Sequence, residues 1–197
     1  MRSVCVFLGS CPGSEPAYVA RAQELARVVA RQGMTLVYGG SNVGCMGKLA
    51  DAALAEGGRV VGVIPKILRD KEIAHLGLSE LHVVEGMMER KRMLLELSDG
   101  FISIPGGLGT MDEFFEALTW TQLGLHPKPN GLLNVNGYYD HLLAFLEHGA
   151  DHGFIRPQHR GLWLVDEQPE ALLEKMEAWK PVLGGKWVER PDLDVTE

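Results

Sequence analysis

The chain has 197 residues, 46% of them apolar, and carries 26 acidic against 19 basic side chains, for a net charge of -7. That balance argues against general nucleic-acid binding, which normally shows a basic face, and no apolar run approaches the roughly 18 residues of a membrane span. Met1-Arg2-Ser3 leads straight into a strand-like segment instead of a signal peptide, so a cytoplasmic protein is expected.

From the N-terminus onward, short β-branched or apolar runs alternate with longer amphipathic stretches. Strands are predicted over 4–8, 35–38, 60–64, 82–84, 101–104, 132–135 and 162–165, and helices over 16–32, 44–56, 88–98, 111–123, 138–149 and 168–179. Such alternation predicts an α/β fold with an open, mainly parallel sheet of about seven strands and helices on both faces. No linker or low-complexity segment divides the chain, so one domain over 1–180 is expected, followed by a loose tail over 181–197.

Three widely spaced cysteines, Cys5, Cys11 and Cys45, form no Cys-x-x-Cys pair and are read as reduced thiols. His148 and His152 lie one helical turn apart, but Glu147 is on the wrong side for His-Glu-x-x-His and no third ligand follows nearby, so no metal is expected.

Two segments place a glycine pair after a strand and then enter a helix: "YGGSNVGCMG" (38–47) and "FISIPGGLGTMDE" (101–113). In an open parallel sheet both would lie at carboxyl ends of strands, where ligands bind. Glycine lets backbone amides approach an anion, and a helix N-terminus adds unpaired donors and the positive end of a dipole, which suits phosphate. Neither segment is a Walker A loop, since Leu49 follows Gly47-Lys48 and Asn42 takes the first glycine position. Asp112 likewise breaks Gly-x-Gly-x-x-Gly. Thr110-Met111-Asp112-Glu113 has the form of a capping box, with Thr110 as cap and Glu113 reaching back to its amide. A cap alone requires neither Pro105-Gly106-Gly107 nor Gly109, which favours a ligand-binding loop.

The densest basic cluster, Arg90-Lys91-Arg92, opens the helical pattern 88–98. On its own such a cluster reads as a solvated face. Successive helical residues point about 100° apart, however, so one can face a pocket while another meets solvent. Met87, Met88, Met93, Leu94 and Leu95 read as core or interface packing.

Together, "PGGLGTMDE" (105–113), "MMERK" (87–91) and "YGGSNVGCMG" (38–47) resemble the Lonely Guy (LOG) family, the cytokinin riboside 5'-monophosphate phosphoribohydrolases. The family's Pro-Gly-Gly-x-Gly-Thr-x-x-Glu motif is met in full. The similarity continues through "LGSCPGSEPAY" (8–18), "TWTQLGLHPKPNGLLNVNGYYDHLL" (119–143) and "GFIRP" (153–157), which covers most of the chain. The resemblance implies a Rossmann-like fold, a homodimer or larger homo-oligomer with its site near the subunit interface, and hydrolysis of an adenine-type nucleoside 5'-monophosphate to free base and ribose 5-phosphate. A general purine nucleoside monophosphate nucleosidase and a non-catalytic nucleotide or cofactor carrier on a similar fold are the alternatives. No metal or organic cofactor is implied. Family members have been labelled lysine decarboxylases, but no lysine here stands in a recognisable pyridoxal phosphate setting.

Carried over by motif, Arg90 and Glu113 are the catalytic pair. Lys91, the loop residues Gly106, Gly107, Leu108, Gly109, Thr110, Met111 and Asp112, together with Glu72 of "KEIAH" and Thr119 of "LTW", are assigned to the nucleotide, while Gly9, Ser10, Gly39, Gly40 and Gly44 complete the pocket. Met88 stands where many relatives have histidine, and Ser41 and Cys45 replace the usual glycine and leucine of the first loop. Cleaving a bond between a purine nitrogen and the anomeric carbon passes through an oxocarbenium-like state, which calls for a nearby anion and a placed water. At the third helical position Glu113 is expected to stay ionised and serve both needs. A guanidinium does not give up its proton, so Arg90 is assigned hydrogen bonding and charge stabilisation.

Overall fold

A computed structural model describes residues 1–71 and 73–181. Its centre is a seven-stranded sheet built from β1 (Ser3–Phe7), β2 (Thr35–Tyr38), β3 (Val60–Pro65), β4 (Glu80–Val84), β5 (Phe101–Ser103), β6 (Asn130–Leu133) and β7 (Trp163–Asp166). The strand order is β4-β3-β2-β1-β5-β6-β7, and every neighbouring pair is parallel. The helices are α1 (Pro16–Arg31), α2 (Gly44–Ala55), α3 (Lys66–Arg69), α4 (Met87–Glu96), α5 (Leu108–Gln122), α6 (Asp140–Asp151) and α7 (Pro169–Ala178).

Side chains alternate across the sheet, and each face has its own core. Val4, Val6, Leu36, Ile102 and Ile104 pack with the buried faces of α1, α2 and α7. Cys5, Phe7, Val37, Val61, Val63 and Phe101 pack on the other side with Leu94, Leu95 and Ala117 from α4 and α5. Because both faces are covered, the central strands read as nearly continuous apolar runs. Among the described residues, no helix is long and apolar enough to cross a membrane.

The α/β, Rossmann-like expectation holds, with a sheet wholly parallel rather than mainly so. Some bounds move. The strand predicted over 132–135 is shifted, because Asn130 reads as loop in sequence yet is buried and donates to Thr121 Oγ1 at 2.8 Å and to the Lys128 carbonyl at 3.3 Å. Helix α5 begins at Leu108 rather than at 111, with Gly107 as its cap. The short α3 falls outside the predicted elements, and the 3-10 turns Val135–Gly137 and Pro157–Leu162 overlap them only at Val135 and Leu162. The tail expected beyond Pro181 lies outside the described residues.

From β1 the chain leads through α1 outward toward β4, whereas from β5 it leads through α5 toward β7 on the opposite side. The exits of β1 and β5 therefore diverge from adjacent strands and leave a crevice at the carboxyl edge of the sheet.

Candidate active site

The crevice holds a cleft of about 290 Å³. The exit of β1 supplies Leu8, Gly9 and Ser10, α2 supplies Met46, α4 supplies Met87 and Arg90, and the start of α5 supplies Gly107 to Thr110, Asp112 and Glu113.

Arg90 reaches the cleft because α4 turns its inner side, with Leu94 and Leu95, toward the sheet. Its Nε donates to the Val63 carbonyl at 3.1 Å, and Nη1 lies 3.4 Å from Glu113 Oε1. Room for the guanidinium exists because residue 39 is glycine: a Cβ there would lie 2.0 Å from Arg90 Nη2. Glu113, also buried, has its carboxyl raised above the ordinary glutamate range. Burial is the main cause, and the Arg90 charge opposes it without cancelling it.

Two expectations about the helix start are corrected. Thr110 is not the cap, and no side-chain hydrogen bond caps α5. Glu113 is the sixth residue of α5, beyond the first turn where the dipole acts strongly, so desolvation governs its protonation. The glycines explain the rearrangement. A Cβ on Gly106 would lie 2.2 Å from Thr110 Oγ1 and 2.7 Å from the Gly9 nitrogen, so Gly106 lets the β1 and β5 exits touch. Gly107 and Gly109, by contrast, face open space. The first amides of α5 lack helical acceptors at that point, which suits an anion.

The other carried-over residues divide. Gly9, Ser10, Gly107, Leu108, Gly109, Thr110 and Asp112 converge with Arg90 and Glu113. Gly106 borders a neighbouring hollow. Lys91 points across to α5, with Nζ 3.3 Å from Asp112 Oδ2 and 3.1 Å from Glu116 Oε1. Burial alone would lower its pKa, but these carboxylates raise it on balance. Met111 and Thr119 line a shallow hollow on the outer face of α5, away from the cleft. Six residues along a helix turn Thr119 about 120° from Glu113, which accounts for the separation. Gly40 and Gly44 are architectural: Gly40 has φ 74° and packs on Ile64 and Leu81, and a Cβ on Gly44 would meet the Ser10 carbonyl oxygen at 1.7 Å. Glu72 lies outside the described residues.

The Arg90-Lys91-Arg92 cluster splits as helical geometry predicts, since the Arg90 side chain is only 9% exposed whereas that of Arg92 is 64% exposed. Of the residues read as core or interface packing, Met87 lines the cleft and Met88 projects outward. Sequence reasoning missed Leu8, Met46 and Met87 as lining residues. It also missed Tyr138, whose hydroxyl donates to the Gly106 carbonyl at 2.6 Å. Leu8 and Met46 fall within the predicted strand 4–8 and helix 44–56, Met87 reads as core or interface packing, and only the fold brings Tyr138 to the loop.

Among the described residues, no lysine lines the cleft, so none of them is positioned there to form an imine with a carbonyl cofactor. Among the described residues, no three His, Cys, Asp or Glu side chains group to hold a metal.

A family model described as "possible lysine decarboxylase" matches residues 46–176. A cytokinin riboside 5'-monophosphate phosphoribohydrolase from Rhodococcoides fascians is 51% identical over 173 residues, covering 87% of each chain. A protein of the same name from Arabidopsis thaliana is 44% identical over 184 residues, 93% of this chain and 81% of the relative. Among solved structures, a molybdenum cofactor binding protein from Rippkaea orientalis superposes with a TM-score of 0.69 at 23% identity, covering 89% of this chain and 95% of that one. The molybdenum cofactor carrier protein of Chlamydomonas reinhardtii gives 0.68 at 21% identity, covering 90% and 98%. At that identity the likeness speaks for the fold alone. The sequence relatives go further, and with the complete Pro-Gly-Gly-x-Gly-Thr-x-x-Glu motif at the cleft they establish that this chain belongs to the Lonely Guy family of phosphoribohydrolases.

Proposed function

We propose that this protein hydrolyses the N-glycosidic bond of cytokinin riboside 5'-monophosphates, and of AMP, releasing the free adenine-type base and ribose 5-phosphate. The observation that carries this reading is the buried Arg90–Glu113 pair beside the start of α5, which no side chain caps. The helix start receives the 5'-phosphate. Glu113 then stands close to the sugar, where its carboxylate stabilises positive charge developing at the anomeric carbon and takes a proton from the attacking water. Raised basicity improves a carboxylate as a general base, provided it is ionised at the working pH. Arg90 holds the carboxylate in place and offers donors to the phosphate or the departing base. The reading requires neither metal nor organic cofactor.

The same proposal includes self-association as a homodimer or larger assembly in the cytoplasm. Its support is the outer face of α4 and α5, where a hollow of about 400 Å³ is lined by Met88, Glu89, Lys91, Arg92, Glu116 and Trp120, with Met88 74% exposed. Free cysteines at positions 5, 11 and 45 are in keeping with a reducing compartment.

The direct test is incubation of the pure protein with AMP and with isopentenyladenosine monophosphate, followed by detection of base and ribose 5-phosphate. Release from the prenylated nucleotide at the higher rate supports the cytokinin reading, and a preference for AMP indicates a general nucleosidase. No release from either leaves a non-catalytic binder and overturns the proposal. Light scattering at a monomeric mass of 21.6 kDa would overturn the assembly.

A further inference from the structure

Two consecutive tyrosines at the entry to α6 grip the chain as it leaves β5. Tyr139 Oη donates to the Ile104 carbonyl at 2.7 Å, and Tyr138 Oη donates to the Gly106 carbonyl at 2.6 Å. The turn carrying them is itself fixed. Asn134 accepts from the Tyr139 amide at 2.7 Å and donates to Asp140 at 2.8 Å. Asn136, in the left-handed region at φ 51°, donates to Glu15 at 2.7 Å. Tyr139 is buried and anchors the turn, while Tyr138 stands at the surface, edge-on to Tyr18 with ring centres 5.8 Å apart.

The Gly106–Gly107 peptide is trans, and in a trans peptide the carbonyl and the following N–H point in opposite directions. A Gly106 carbonyl turned toward Tyr138 therefore turns the Gly107 N–H away from Tyr138. The surroundings match this orientation. Gly106 and Tyr138 border a hollow of about 270 Å³ that Gly109 does not line, Gly109 borders the cleft with Arg90 and Glu113, and Gly107 borders both. Accepting a hydrogen bond also polarises the peptide, which strengthens its N–H as a donor.

We propose that Tyr138 is a positioning residue: by holding the Gly106 carbonyl it aims the Gly107 N–H into the cleft as an anion donor, and thereby sets the preference for a 5'-phosphorylated ribose over an unphosphorylated one. The proposal rests on the nucleotide reading given above.

Calorimetric titration of ribose 5-phosphate and of adenosine into wild type, Tyr138→Phe and Tyr18→Phe tests it, with melting curves to verify the fold. Loss of the Tyr138 hydroxyl raises the Kd for ribose 5-phosphate roughly three- to tenfold and leaves that for adenosine within about twofold, as expected for removal of one hydrogen bond serving the phosphate alone. Tyr18, whose hydroxyl donates to Glu15 rather than to the loop, is the control, and its variant changes neither constant. Equal weakening of both ligands, an equal effect of the two variants, no effect of Tyr138→Phe, or no ribose 5-phosphate binding by wild type overturns the proposal. Base release from nucleotides by wild type is scored separately, so failure of the positioning role is distinguishable from failure of the hydrolase reading.

Discussion

Arg90 Nη1 lies 3.4 Å from Glu113 Oε1, with side-chain exposures of 9% and 10%. The two arrive on different helices, α4 and α5, and meet over the carboxyl edge of the sheet. A buried pair of this kind adds little to stability over an apolar replacement, whereas removal of one partner strands the other. On the proposed reading its value is chemical. Glu113→Gln, nearly isosteric, lowers turnover by roughly two to four decades while preserving the fold and nucleotide binding. Single-turnover base release with a parallel binding titration checks this, and near-normal turnover refutes a catalytic Glu113.

The protonation of Glu113 gives a second prediction. Burial raises its pKa, Arg90 opposes the rise, and neighbouring Asp112 adds to it. A glutamate with a raised folded pKa binds more protons folded than unfolded. Its contribution to stability is therefore complete below the unfolded pKa and lost as pH rises through the folded one. Activity on the proposed mechanism runs the opposite way, because there the carboxylate is the working form. The acid limb of kcat/KM thus lies above the ordinary glutamate pKa of about 4.3. Arg90→Met removes a charge that favours ionisation and moves the limb to higher pH. A limb that stays put, or moves down, contradicts the assignment.

Gly39 and Gly44 separate function from stability. A Cβ at residue 39 meets the end of the Arg90 side chain at 2.0 Å, and a flexible guanidinium can swing aside. Gly39→Ala therefore costs at least about tenfold in turnover by breaking the Arg90–Glu113 arrangement, with little loss of melting temperature. At residue 44 the obstacle is the Ser10 backbone oxygen at 1.7 Å, and φ is 56°. Gly44→Ala consequently destabilises by about 2–4 kcal/mol. Kinetics and denaturant melts of both variants check the contrast.

Asp99 ties the first strand in place. Its Oδ2 accepts from the Arg2 amide at 2.7 Å and the Ser3 amide at 3.1 Å. Partial burial works to raise its pKa, but the two amides, together with the charges of Arg2 and the N-terminus, lower it on balance. The resulting stabilisation is present above the unfolded aspartate pKa of about 3.9 and lost as pH falls through the lowered folded value. Asp99→Asn loses about 1–2 kcal/mol at neutral pH, and the difference from wild type narrows in acid. Urea melts at pH 7 and pH 3 measure it.

The sequence by itself determined the layered architecture, because strand and helix periodicities are local properties. Runs such as Val60–Pro65 are apolar along their whole length where both sheet faces are covered. Through the family resemblance it also pointed to the proposed pair, since the complete motif contains Glu113 and the matched "MMERK" segment contains Arg90. Only the tertiary structure decided which of three consecutive basic residues turns inward, because that depends on how α4 seats on β3. Tertiary contacts likewise made Gly106 a close-packing residue while leaving Gly107 open, moved the cap from Thr110 to Gly107, and set Met87 at the cleft. They also carried Tyr138 to the Gly106 carbonyl from a turn after β6, two strands from β1. A local pattern encodes what a residue prefers, and the strand order decides what it meets.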